Sequence, residues 1–404
     1  PGVIKNYAGN FDFSPTSYDN VLIISFFSAF SLILTSFFIK KFFFNYKKNF
    51  LKTSKLNKVI DLNKEKIIFI SLIFLFSFLI FYSINLYFSI YQKGIVYEGN
   101  IPSIFYNLFI WTIKIGFPAF ASIIIYFALN LKSKQYKVKS FLLAVLESTF
   151  SSISQISRAM IFNPFSMIFG IYKYNQFEKK KFSTNNFYKS YIVLIFFFIF
   201  SLFITSELRS KFYNVKLISS KSKSENKVEL KLLSHFSNFM YLAGNRWVGI
   251  EGIMSTYSLK NKSFKFLKDS FKEKYNYTMT YYTVKVRKYE QHNKFDKIKN
   301  YFSKNELKHI AIFTPGIIGF LYYSGSLIFV VFALSIILMI CVLIEISVFK
   351  LTKNNYIFTS FVSNVLAYQL AHYGYMPQNT YKIIFGIFLG LIMIMIINKI
   401  IYKR

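Results

Sequence analysis

The stretch IIFISLIFLFSFLIFYSINLYF, Ile67 to Phe88, decides the fold class. It carries no charged residue. As a helix, about 20 apolar residues are enough to cross the hydrocarbon core of a bilayer. As an open strand, the same run would leave backbone groups unpaired in lipid. Comparable runs lie at 21–39, 104–130, 189–206, 323–348, 356–372 and 382–398. The expected fold is therefore all-α: a polytopic transmembrane helical bundle forming a single integral membrane domain over residues 1–404. Composition points the same way, since 54% of the 404 residues are hydrophobic, more than soluble domains usually carry.

The formal charge is +33. Its lysines lie between the apolar runs and not on a separable basic domain. This is the pattern of cytoplasmic loops, with some attraction to anionic membrane lipids, and not of a nucleic-acid binder. Residues 40–66 hold nine lysines against Asp61 and Glu65 and should be cytoplasmic. The segment 91–100 should be outside, and 132–139, 178–181, Lys350 and Lys353 inside. Both flanks of 140–175 then face the cytoplasm, so this segment must cross an even number of times. Two short helices or a re-entrant hairpin, turning near Ser154 to Arg158, satisfy that count. Pro164 then falls near the start of the return helix, where proline is tolerated. A single crossing is the alternative and inverts everything from there to 322. On the even count, residues 207–308 form one large periplasmic or extracellular loop. That loop has 22 Lys and Arg against nine Asp and Glu, but long loops translocate largely regardless of charge. The sequence opens on Pro1 without a signal-type segment, and one or two further helices are expected ahead of it. The single cysteine, Cys341, rules out an intrachain disulfide and a cysteine-based metal site.

Ionisable groups within apolar runs are costly and are functional candidates. Lys114 interrupts FIWTIKIGFPAF; it either snorkels to the outer interface or adds a cation to a binding site. Glu147, Ser151, Ser154 and Arg158 are spaced by four, three and four, so a continuous helix would carry them as one polar stripe. Glu147 can equally be a structural hydrogen-bonding group. Arg158 suits phosphate, because its planar fork donates two hydrogen bonds and stays charged. In GNRWVGIEG (Gly244 to Gly252), Arg246 is a second anion-binding candidate and Trp247 offers a face to a sugar ring. Glu251 can accept a proton from an attacking hydroxyl. The alternative for this stretch is an interfacial helix with Trp247 anchored among head groups. In HIAIFTPGIIGFLYYSGS (His309 to Ser326), His309 is a candidate base. Tyr322, Tyr323 and Ser326 add hydroxyls at the outer face, where His372, Tyr373 and Tyr375 can line the same vestibule. No metal-spaced His, Asp or Glu cluster and no phosphate-loop or dinucleotide pattern is present, so no metal and no cofactor are expected.

Three of these stretches, SISRAMIFN, NRWVGIEG and TPGIIGFLYYSGS, give the chain a resemblance to the O-antigen polymerases, the Wzy-type oligosaccharide repeat-unit polymerases. The likeness covers most of the chain in architecture, although that family has more spans than are counted here. The resemblance implies a glycosyltransferase of the bacterial cytoplasmic membrane. Such an enzyme moves a growing chain from undecaprenyl diphosphate onto the nonreducing end of a new lipid-linked repeat unit. Its partners would be undecaprenyl-diphosphate-linked glycans, membrane lipids, a chain-length regulator and a flippase. On that chemistry Arg158, Arg246 and Lys114 would bind the diphosphate. Glu251 and His309 would serve the acceptor hydroxyl, and Trp247, Tyr322, Tyr323 and His372 the glycan. An O-antigen ligase or another polyprenyl-phosphate-dependent glycosyltransferase fits nearly as well. A flippase or transporter for the same lipid-linked sugars is the reading from another class.

Overall fold

A computed structural model describes residues 10–44, 64–92, 101–130, 134–157, 160–177, 184–212, 250–272, 315–374 and 380–401. Among them there is helix and no strand. In chain order the helices are α1 (Pro15–Phe38), α2 (Lys64–Phe88), α3 (Ser103–Trp111), α4 (Phe117–Asn130) and α5 (Lys134–Ser154). They continue with α6 (Phe162–Phe177), α7 (Thr184–Phe212), α8 (Glu251–Tyr257), α9 (Phe264–Phe271) and α10 (Gly316–Leu321). The last three are α11 (Leu327–Leu351), α12 (Tyr356–Ala371) and α13 (Tyr381–Ile401). Two short π-helical segments extend this set, Ile39–Phe43 after α1 and Thr112–Gly116 between α3 and α4.

Among the described residues, five helical stretches are long and apolar enough to cross a membrane: Pro15–Phe43, Glu65–Phe88, Ser103–Leu129, Tyr191–Leu208 and Leu327–Leu351. Their outward faces are apolar too. Phe26, Phe69, Phe76, Ile328 and Phe332 are all exposed. In water such faces would drive aggregation, whereas in a bilayer they meet lipid. The described residues are thus all-helical, with the apolar spans of a membrane protein. All seven expected runs are helical, but the one expected from 323 starts later, at Leu327. Tyr322–Ser324 form a 3-10 turn that ends at Gly325, whose φ of +78° reverses the chain. Ser326 then caps the new helix, its Oγ accepting from Phe329 N at 3.3 Å. The helix from Tyr356 starts on a buried cap, Asn355, whose Oδ1 accepts from Ile357 N and Phe358 N, both at 3.1 Å.

The helices group into two compact units. The first comprises Pro1–Phe44, Lys216–Val342 and Leu366–Tyr381; the second comprises Asn45–Val215, Leu343–Val365 and Lys382–Arg404. In the second unit α2 presents Phe74, Phe78 and Tyr82, four residues apart and hence on one face. All three are buried. Phe74 stacks on Phe120 at 5.1 Å, and Tyr82 meets Phe117 edge-on at 5.5 Å. Helices α5, α6 and α7 share a cluster of Phe141, Val145, Ile161, Ile168 and Leu194. Gly170 lets α6 approach α12 closely, since a Cβ there would lie 2.7 Å from Ile357 Cα. The same small-residue contact packs helices in lipid, where apolar burial drives nothing. Nearby, Asn364 Nδ2 donates to Asn163 Oδ1 at 3.1 Å.

In the first unit α1 starts on a cap, with Ser14 Oγ accepting from Ser17 N at 3.2 Å and Pro15 at the first helical position. Its face of Val21 and Ile24 packs against Met254, Leu321, Tyr322, Val330 and Leu334. Asn20 Nδ2 reaches Tyr257 Oη at 2.8 Å, and Thr35 Oγ1 donates to Ser335 Oγ at 3.0 Å. These bonds fix α1 against α8 and α11.

Candidate functional site

Two constellations gather the sequence candidates, one in each unit. In the first unit the end of GNRWVGIEG folds directly onto TPGIIGF. A Cβ on Gly252 would stand 2.4 Å from the Pro315 carbonyl oxygen, and one on Gly319 would stand 3.0 Å from Gly252 O. Only glycine allows the two backbones this distance. The end of α12 closes on the same proline: a Cβ on Gly374, at φ +110°, would meet Pro315 Cδ at 2.5 Å. Tyr373 packs edge-on against Phe320 at 5.0 Å. Three stretches distant in sequence thus converge on Pro315.

Within this constellation Glu251 is the first residue of α8, following Ile250 at the cap position. Tyr322 and Tyr323 lie in the 3-10 turn and are buried. Tyr322 belongs to the cluster with α1 and α11, while Tyr323 packs against Phe266 and Phe320 at 5.3 and 5.2 Å. A sugar reaching either ring would have to displace that packing. His372 is exposed at the end of α12. Its Nδ1 lies 3.0 Å from Tyr368 O, which can only accept, so Nδ1 is the donor in that contact. Arg246, Trp247, His309 and Tyr375 lie outside the described residues.

One cation here was not singled out in the sequence. Lys262 Nζ donates to Tyr257 O at 2.5 Å and Leu259 O at 2.7 Å, closing the C-terminal end of α8. It sits 5.5 Å from the Tyr257 ring centroid and 5.7 Å from that of Tyr322. Partial desolvation lowers its pKa below that of an ordinary lysine. Nothing in the pattern SLKNKSF distinguishes this lysine from its neighbours; the signal is three-dimensional.

The second constellation is a buried polar hub. Its origin is Pro118. In the Thr112–Gly116 segment the Phe117 N–H bonds back to Thr112 O, five residues away. Residue 118 would next serve the carbonyl of 113 in the wide turn, or that of 114 in a regular one, but proline has no N–H. The Ile113 carbonyl is taken instead by side chains: Tyr82 Oη at 3.4 Å and Gln155 Nε2 at 3.3 Å. Tyr82 Oη also donates to Glu147 Oε1, and Gln155 Nε2 to Ser151 Oγ at 2.7 Å. Asn85, fully buried, donates to Ser154 Oγ at 2.7 Å and to the Tyr91 and Ser154 carbonyls at 3.0 Å, while Tyr91 N donates back to Asn85 Oδ1 at 2.8 Å.

The hub meets the sequence expectations in part. Glu147, Ser151 and Ser154 are all buried, as a stripe facing the bundle interior should be. The stripe does not continue as helix to Arg158, because α5 ends at Ser154. Ser157 N bonds back to Ser152 O at 2.8 Å and Ile156 adopts φ +49°, a helix-ending turn usually built on glycine. The helix break thus falls where the hairpin turn was expected, and Pro164 is the third residue of α6. Arg158 lies outside the described residues. Lys114, half-buried on the π segment, holds its ammonium 5.2 Å from the Tyr91 ring centroid. Tyr82, Asn85 and Gln155 were missed in the sequence. Asn85 was the most accessible of them, as the amide inside the otherwise oily run that opens the sequence reading. Among the described residues no three His, Cys, Asp or Glu side chains group as a metal site. No family model, curated protein or solved structure matches the chain.

Proposed function

We propose that the chain is a polytopic membrane glycosyltransferase that polymerises undecaprenyl-diphosphate-linked oligosaccharide repeat units. The reaction takes place at the outer leaflet of a bacterial cytoplasmic membrane, with residues 207–308 on the outer side. One observation carries the reading. Two of the three stretches behind the resemblance to O-antigen polymerases meet backbone to backbone, at Gly252 on one side and Pro315 and Gly319 on the other. Motifs that serve one reaction must converge, and sequence separation alone gave these two no reason to.

In the proposed reaction the anomeric carbon of the growing chain is attacked by an acceptor hydroxyl, and lipid diphosphate leaves. The leaving group gains negative charge, so fixed cations stabilise the transition state. Arg158, Arg246 and Lys114 are the cations assigned to that role. Glu251 or His309 takes the hydroxyl proton. Trp247 and the exposed His372 contact the glycan. No nucleotide is needed, since the phospho-glycosidic bond is already activated.

A transporter of the same lipid-linked glycans is the second reading. The observation favouring it is the Glu147 hub, a buried acid beside a proline-interrupted helix, a construction found at transport sites. One experiment separates the two. Cells lacking the protein are complemented with wild-type, Arg158→Ala or Arg246→Ala chains, and the glycans on lipid carriers are sized. Single repeat units that accumulate on the outer leaflet, with ladders restored only by wild-type, fit a polymerase. Long lipid-linked polymers that never reach their final acceptor indicate a ligase. Repeat units trapped on the cytoplasmic leaflet indicate a transporter.

A further inference from the structure

We infer that the hub around Glu147 is a binding site for a small monovalent cation, with sodium as the candidate ion. The inference goes beyond the polymerase reading and holds whichever reaction or transport the chain performs.

The first ground is charge. Glu147 is 1% exposed and its hydrogen-bond partner is the Tyr82 hydroxyl. No cationic side chain pairs with it among the described residues. A carboxylate so buried either keeps a proton or takes a compensating positive charge. The second ground is the oxygen that nothing satisfies. Gln155 is fully buried, and its amide nitrogen is anchored on Ile113 O and Ser151 Oγ, yet Oε1 has no partner. Buried amide oxygens are rarely left this way without a ligand or water to meet them. The third is the Ile113 carbonyl, which Pro118 frees from the helix ladder and which the long contacts of Tyr82 Oη and Gln155 Nε2, at 3.4 and 3.3 Å, now meet.

These groups form one cluster. The Tyr82 hydroxyl touches Glu147 and Ile113 O, and Gln155 touches Ile113 O and Ser151. The cluster therefore holds one carboxylate, one backbone carbonyl and one hydroxyl in mutual contact, with the unpartnered amide oxygen on the Gln155 side chain that reaches them. All are hard oxygen donors, which exclude soft metals. A single negative charge balances one positive charge, whereas divalent sites recruit more carboxylates. Helix-break carbonyls beside a buried acid also hold sodium or protons in membrane transporters. Tyr82 keeps one carboxylate oxygen oriented while the other remains for the ion. Unwound backbone carbonyls coordinate sodium in membrane transporters, which makes sodium the ion to test first.

The test uses the full chain in detergent at constant pH and ionic strength, with sodium, potassium or N-methyl-D-glucamine chloride. The expected result is a saturable rise in the wild-type melting midpoint of about 3–5 °C with sodium alone. Glu147→Gln, which preserves the side-chain shape, should melt cooperatively and lose the sodium response. If Glu147→Gln fails to fold, Ser151→Ala and Gln155→Met take its place, and each should weaken the response at least tenfold in sodium concentration. Equal midpoints for wild-type in all three salts would overturn the inference and leave a proton as the occupant. A sodium shift undiminished in the folded variants would overturn it as well.

Discussion

At the scale of single residues, glycines separate contacts that are required from those that are incidental. Gly252 and Gly390 are both glycines in helices, but only the first meets a backbone. A Cβ at 252 would be 2.4 Å from Pro315 O, while one at 390 finds nothing closer than Phe358 Cζ at 3.5 Å. Gly252→Ala should therefore cost about 1–3 kcal/mol by forcing α8 away from Pro315. Gly390→Ala should be neutral or stabilising by up to about 1 kcal/mol, from helix propensity alone. Melting of the two purified variants checks the pair; equal midpoints would mean that the approach at Pro315 is not structural. Lys262 supplies a pH signature at the same scale. Desolvation lowers its pKa in the fold below the usual 10.5. The unfolded chain then binds more protons across the interval between the folded value and 10.5, so stability rises with pH through that window. Below the folded value that gain is absent. Lys262→Met removes this contribution, so the gap between variant and wild-type melting midpoints should change as pH rises toward 10.5. A constant gap would show that the ammonium is no more desolvated in the fold than in the unfolded chain.

At the scale of elements, the π segment and α5 behave as one device, because a side chain replaces each hydrogen bond that proline removes. Tyr82→Phe strips one donor from Ile113 O and leaves Glu147 without its partner. The expected cost is about 1–3 kcal/mol, read from the melting midpoint, with a matching loss of the sodium response. Pro118→Ala works in the opposite sense. It gives residue 118 an N–H able to claim the carbonyl of 113 or 114, so the fold should hold within about 1 kcal/mol while sodium affinity falls. A Pro118→Ala chain that keeps full sodium affinity would separate the proline from the site. This device also marks where sequence reading stops. The helices were legible because hydrophobic run length is a one-dimensional property, and the break after Ser154 followed from loop charge and parity. The spacing Glu147–Ser151–Ser154 was legible because helical period is local. What Tyr82, Asn85 and Gln155 do was not, since it depends on an orphaned carbonyl created on a different helix. Similarly, the convergence of Gly252, Gly374 and Pro315 rests on backbone proximity that no pattern of residues 244–252 encodes.

At the scale of the whole molecule, the proposed function depends on which side of the membrane residues 207–308 occupy, and two physical rules pull against each other there. Residue for residue, 22 Lys and Arg against nine Asp and Glu would hold the segment in the cytoplasm. Length argues otherwise, because the positive-inside bias acts through short loops and charges near the ends of spans. The short loops decide in favour of the outside only if residues 140–175 turn back on themselves. The break between α5 and α6, with α6 beginning at Phe162, is what such a turn needs. The consequence can be measured because the chain has one native cysteine, Cys341. In a Cys341→Ser background, Lys223→Cys should react with a membrane-impermeant maleimide added to intact cells, and Lys55→Cys should react only after permeabilisation. If Lys223→Cys is also protected until the membrane is opened, residues 140–175 cross once and the loop faces the cytoplasm. Arg246 and Glu251 could then never meet a lipid diphosphate in the outer leaflet, and the polymerase reading would fail. The sodium inference would survive that outcome, since it rests on groups buried within the second unit and not on the side to which any loop is exposed.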